Sequence, residues 1–183
     1  MYSEVTADIS APGSAQDLFF KGENMRKNIF ITVVFFLVFI YSSYAQSSRA
    51  EIAVAPAAEA VMFGYSGFAY GGGICADYGT DKAAGIKLLY AMDADKFIFV
   101  EFQVFVRYYF FGDGQASGLF LQGSSGLVFF SLERPEYTGY GSISAGLGAG
   151  WRYLIGKRFF AEAAVRAGYP YAFGGLITAG VRF

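Results

Sequence analysis

The chain has 183 residues with a formal net charge of −1, 16% charged and 20% aromatic side chains, no His and one Cys. The near-neutral balance excludes electrostatic capture of nucleic acid, and the missing His excludes Ser-His-Asp and Cys-His triads and every His-ligated metal centre. So aromatic and charge-poor a composition excludes both a disordered chain and an ordinary soluble surface. The length fits a single domain.

The first patterned stretch begins at Met25. Arg26 and Lys27 give a positive start, Ile29 to Ile40 (IFITVVFFLVFI) an apolar run, and Ser43 and Ala45 a small-x-small site before Gln46. This order predicts a secretory signal peptide over 25–45, cleaved after Ala45; the run is short for a membrane-spanning helix, which needs roughly 20 apolar residues. Residues 1–24 are polar and end Lys21-Gly22-Glu23-Asn24, whose codons can spell a purine-rich ribosome-binding sequence just before the Met25 codon. Translation is therefore expected to start at Met25, with 1–24 an upstream extension. The remaining domain, 46–183, carries no Cys next to the signal, so no lipid anchor is expected. Cys75 is expected to be a small packing residue.

After Ala45 the pattern is alternation. The clearest case is Phe97 to Phe111: Ile98, Val100, Phe102, Val104, Val106, Tyr108 and Phe110 form one apolar face, while Glu101, Gln103 and Arg107 fall on the other. A period of two over that length is a strand. Eight strands are predicted in chain order, at about 51–63, 67–77, 83–92, 96–110, 118–130, 139–155, 159–169 and 174–183. The first two are weak, because the Ala- and Gly-rich stretch 53–73 alternates poorly. Turn residues separate the strands at Tyr78-Gly79-Thr80-Asp81, Asp93-Ala94-Asp95, Gly112-Asp113-Gly114 and Gly156-Lys157. The longest polar connection is 131–138.

A one-sided apolar strand either faces the core of a soluble barrel or faces lipid from a membrane barrel. The second is predicted. The polar faces are rich in Gly and Ser and poor in charge, which suits a crowded interior. Aromatics gather at strand ends, as at Tyr108 to Phe111, Trp151 with Tyr153, and Tyr169 with Tyr171. A signal peptide would carry the chain across the inner membrane, with no long apolar helix to arrest it. The expectation is an all-β, eight-stranded, antiparallel up-and-down transmembrane barrel with both ends periplasmic and the connections after strands one, three, five and seven external.

The C-terminal stretch LITAGVRF, with Ile177, Ala179, Val181 and terminal Phe183 alternating, resembles the signal that outer-membrane barrels present to their insertion machinery. RYYFFGDGQASGLFLQGSSGLVFF and GLGAGWRYLIGKRFFAEAAVRAGY resemble strands of small barrels of the OmpA/OmpX-like superfamily, a likeness over roughly 83–183. It implies residence in the outer membrane of a diderm bacterium as a monomer, with outer-membrane lipid and the insertion machinery as partners and no cofactor. External loops shorter than those of the adhesive members argue against ligand capture by loops. Outer-membrane barrel enzymes resemble one another in relying on His, so no enzymatic activity is expected. Asp93 with Asp95, and Asp113, are read as turn residues, too few in oxygen ligands for Ca²⁺. The expected function is a non-catalytic integral barrel, structural or presenting 133–137 and 168–173 outside. The alternative is a module that binds or transports a small hydrophobic ligand or lipid through the Gly-rich lumen or beside strands one and two.

Lys87, Glu101, Arg107, Arg152, Glu162 and Arg166 all fall on lumen faces and are expected to form structural ion pairs that close the interior. Three-residue connections would set Met92 opposite Lys96, and so Lys87 opposite Glu101. The same length would set Ile155 opposite Phe159, and so Arg152 opposite Glu162, with Arg166 a competing partner for Glu162. Exchanging the charges of Arg152 and Glu162 is then expected to recover most of what either single change loses.

Overall fold

The computed structural model describes residues 50–63, 67–94, 97–111, 116–132 and 140–183. The upstream extension, the signal segment, Asp95, Asp113 and the 133–137 stretch lie outside the described residues. Eight strands follow one another: β1 (Glu51–Phe63), β2 (Gly67–Gly79), β3 (Lys82–Asp93), β4 (Phe97–Tyr109), β5 (Gly118–Leu132), β6 (Tyr140–Ile155), β7 (Phe159–Tyr169) and β8 (Phe173–Arg182). Each pairs antiparallel with the next, and β1 pairs with β8, which closes the barrel and leaves no free edge. At the seam Ile52 and Phe183 exchange backbone hydrogen bonds of 3.2 and 2.8 Å. The β1–β8 ladder skips Ala55 and Pro56, where Pro56 has no N–H to donate.

Alternation assigns every strand an outside and an inside. Ile86, Leu88, Tyr90 and Met92 of β3, Phe102 and Tyr108 of β4, and Leu147, Trp151 and Tyr153 of β6 lie exposed on the outside; their neighbours in sequence turn inward and are buried or half-buried. We call the end where β1 starts and β8 finishes proximal, and the other distal. Outward aromatics ring both ends. Tyr78, Tyr108, Phe110, Trp151, Tyr153 and Phe159 lie proximally; Phe68, Tyr70, Tyr90, Phe129, Tyr169 and Phe173 lie distally. An exposed apolar belt between two aromatic rings is the outer surface of a membrane barrel and would be a liability in water.

Two connections test the expected hairpin lengths. Gly156 takes φ +68°, the left-handed region that glycine enters without strain, in the three-residue connection 156–158. There Ile155 pairs with Phe159 and Arg152 with Glu162. Between β3 and β4 the register differs from expectation: Met92 pairs with Ile98, not Lys96, and Lys87 faces Gln103 while Glu101 faces Leu89. Five residues separate that last cross-strand pair, and within them the Asp93 carboxylate accepts a hydrogen bond from the Phe97 amide at 2.9 Å, the local turn that Asp favours. A shift of two keeps every side chain on its face and changes only its partner. Strand β2 also runs on to Gly79, which leaves Thr80 and Asp81 as the turn.

Candidate functional site

Among the described residues, buried charge concentrates in the lumen, which is filled in layers. At the distal end Val61, Leu89, Phe99, Val128, Phe130 and Tyr171 form an apolar cap with Phe63 and Phe97 packed on it. Phe63 meets Phe99 edge to face at 5.2 Å, and Phe97 stacks on Phe130 at 5.3 Å. Beneath the cap lie two groups of four charges.

The distal quartet is Glu59 of β1, Lys87 of β3, Glu101 of β4 and Arg166 of β7. Lys87 Nζ lies 2.7 Å from Glu59 and 3.9 Å from Glu101; Arg166 lies 2.8 Å from Glu101 and also contacts Glu59. The proximal quartet is Asp77 of β2, Arg107 of β4, Arg152 of β6 and Glu162 of β7. Arg107 reaches Asp77 at 3.1 Å and Glu162 at 2.8 Å; Arg152 reaches Asp77 at 2.5 Å and Glu162 at 2.8 Å. In each group every cation touches both carboxylates, so each quartet is a closed ring with zero net charge. All eight side chains are buried, none more than 4% exposed. Burying a charge is tolerable only where geometry and extra hydrogen bonds compensate for lost water, and the rings supply both. Gln122 accepts from Arg107 Nε at 2.7 Å.

Aromatic rings pack against the proximal guanidinium groups. Arg107 Cζ lies 4.4 Å from the Phe105 ring and 4.7 Å from Phe120, and Arg152 Cζ lies 4.3 Å from Phe160, within cation–π range. Two glycines make the room. A Cβ at Gly85 would stand 2.5 Å from the Phe105 ring, and one at Gly150 the same distance from Phe120. Cys75 packs between the quartets with Ala53, Ala55, Phe105 and Phe160.

All six charges picked from the sequence therefore face the lumen, but their pairing differs in two respects. Arg166 does not compete for Glu162; it lies in the distal ring with Glu59 and Glu101. Glu162 serves Arg107 as well as Arg152, so exchanging 152 with 162 would keep that one pair while setting like charges against Asp77 and Arg107. The sequence reading missed Glu59 and Asp77, which complete the rings, and Tyr171. The hydroxyl of Tyr171 donates to Glu101 Oε1 at 3.2 Å and accepts from Gln103 Nε2 at 3.2 Å and from Arg166. Burial pushes its pKa above the ordinary tyrosine value. Glu59 and Asp77 were detectable in principle: both sit on the odd, inward face of the two weakly alternating strands. Of the C-terminal pattern, Ile177 lies exposed on the outer face of β8 and Phe183 exposed just past its end.

No protein-family profile matches the chain, and no curated protein does. Among solved structures, the N-terminal β-barrel domain of Pseudomonas aeruginosa OprF superposes with a TM-score of 0.51 at 18% identity, over 73% of this chain and 97% of that one. Neisserial surface protein A follows at 0.49 and 17%, covering 73% and 95%. Ail, the attachment invasion locus protein of Yersinia pestis, follows at 0.47 and 14%, covering 73% and 97%. With its closed antiparallel ladder, its exposed apolar belt and the OprF likeness, the chain has the fold of the small eight-stranded outer-membrane β-barrels.

Proposed function

We propose that the chain is a non-catalytic integral protein of the outer membrane of a diderm bacterium, structural or surface-presenting, and closed to diffusion. The observation that carries this reading is the lumen: two charge-neutral rings, stacked with Phe105, Phe120, Phe160 and an apolar cap, in which each of the eight ring charges is already engaged by two of opposite sign. Eight strands enclose an interior just wide enough for side chains. Every carboxylate in the rings is held by two cations, the opposite of an acid poised for proton transfer. The unbroken ladder between β1 and β2 weighs against a lateral route for a lipid between those two strands.

In this reading 25–45 directs export and is removed, and the outward pattern Ile177, Ala179, Val181 and Phe183 engages the insertion machinery. The proximal end faces the periplasm, and 133–137 and 168–173 face outside. Planar-bilayer recording on the purified monomer tests it: no large, stable open-channel currents are expected, and such currents would overturn it. An unheated sample should also migrate faster than a boiled one on a detergent gel. A chain that is soluble without detergent and unchanged by heating would sink the membrane assignment.

A further inference from the structure

Among the described residues whose large side chains are fully buried, Tyr171 alone comes from a connection; Arg107, Arg152, Phe99, Phe105 and the rest stand on strands. It belongs to the segment between β7 and β8, at the distal mouth. Its ring completes the apolar cap, its face lies against Arg166, whose Cζ is 3.9 Å from the ring centre, and its hydroxyl is anchored on Glu101, Gln103 and Arg166. The backbone beside it is tied down where Ala172 N donates to Met62 O at 2.9 Å. The β7–β8 ladder ends at Arg166 with Gly174, so no strand pairing depends on Tyr171.

We propose that the β7–β8 connection is a lid over the distal mouth, that Tyr171 is its latch, and that freeing Tyr171 admits water and small solutes past the distal quartet as far as Cys75. This rests on the closed-lumen reading above. A tyrosine suits the task because its ring fills the cap while its polar tip holds the charged layer beneath. Withdrawn, it leaves a ring-sized gap in the cap. Glu101, Gln103 and Arg166 then bond water instead, so opening need not break a strand.

Cys75 is the chain's single thiol, 3% exposed and inward-facing, opposite Lys87 and two residues before Asp77. It therefore reports on solvent reaching the layer between the quartets. The full chain, folded in detergent, is treated with 2-aminoethyl methanethiosulfonate, and labelling is followed by mass spectrometry. Wild type should label slowly. Tyr171→Ala, which removes the ring together with the hydroxyl's bonds to Glu101, Gln103 and Arg166, should label about tenfold faster or more. Tyr171→Phe, which keeps the ring, should fall between. Heat-dependent gel migration checks that each variant is folded. A folded Tyr171→Ala that labels at the wild-type rate overturns the latch. If that variant does not fold, Tyr171→Phe decides, and an unchanged rate overturns it equally. Wild type labelling as fast as urea-unfolded chain would instead refute the closed lumen itself.

Discussion

Removing the charge of Glu162 should unbalance the proximal ring, and the geometry says by how much and how to repair it. Its carboxylate accepts from Arg107 at 2.8 and 3.0 Å and from Arg152 Nε at 2.8 Å. In Glu162→Gln two guanidinium groups share Asp77 alone, and the new amide turns donors toward donors. An uncompensated buried charge costs about 3–5 kcal/mol. Arg152→Gln should cost a similar amount, because Asp77 and Glu162 then share Arg107. The double variant Arg152→Gln with Glu162→Gln is neutral again and keeps Arg107 on Asp77 at 3.1 Å and on Gln122 at 2.7 Å. Its loss should fall short of the sum of the single losses by roughly 1–3 kcal/mol, the coupling expected of direct partners. Exchanging the charges, Arg152→Glu with Glu162→Arg, should recover nothing, since glutamate would meet Asp77 and arginine would meet Arg107. Urea unfolding in detergent, read from Trp151 fluorescence and gel migration, supplies the four stabilities. Additive single losses, or an exchange as stable as wild type, would refute the ring.

The other expectations separate the layers of the barrel. Leu147 is 75% exposed at the middle of β6; Leu147→Arg should destabilise the folded barrel in lipid by about 2–4 kcal/mol, whereas a soluble barrel would tolerate it. Gly150→Leu should cost about 1–3 kcal/mol, because its Cβ would press on the Phe120 ring and displace it from Arg107; urea midpoints measure both. Arg182 pairs with Glu51 at 2.7 Å at the proximal rim, where Glu51 is 37% exposed, so Arg182→Gln should lower the unfolding free energy by no more than about 1 kcal/mol. A loss as large as that of Glu162→Gln would mean that the rim carries as much of the stability as the lumen.

Strand positions were readable because one physical rule governs the chain: apolar out, everything else in, with period two. Strands β3 to β8 obey it with large outward residues such as Ile86, Phe102 and Trp151, so their faces and bounds emerge within two residues. Partner choice was less accessible, since register depends on turn chemistry. The 156–158 connection has its glycine in the left-handed region and closes as a three-residue turn. At Asp93 a side-chain hydrogen bond to Phe97 accompanies a longer connection, and Lys87 faces Gln103 instead of Glu101. The contact survives at 3.9 Å only because the lysine is long. Contacts across the lumen, such as Arg107 with Asp77 and Arg166 with Glu59, join strands that are not neighbours and leave no trace in hairpin arithmetic.

The weak alternation of β1 and β2 has a cause that the closed lumen makes plain. Long side chains on β4, β6 and β7 project inward, Arg107, Arg152, Phe160 and Arg166 among them, and an eight-stranded interior has no room for the same on every wall. The facing positions must be small. Ala53, Ala55, Ala57, Ala69, Gly71 and Gly73 supply that, and they blur the contrast between inside and outside that a sequence pattern relies on. On such a wall the few longer residues have a job: Glu59 and Asp77 bring the carboxylates that the arginines of the opposite strands require. Enlarging Ala55 or Ala57 should therefore act on the quartets through crowding, without touching a charge. The strands hardest to read are hard because they are the ones cut back to let both rings close.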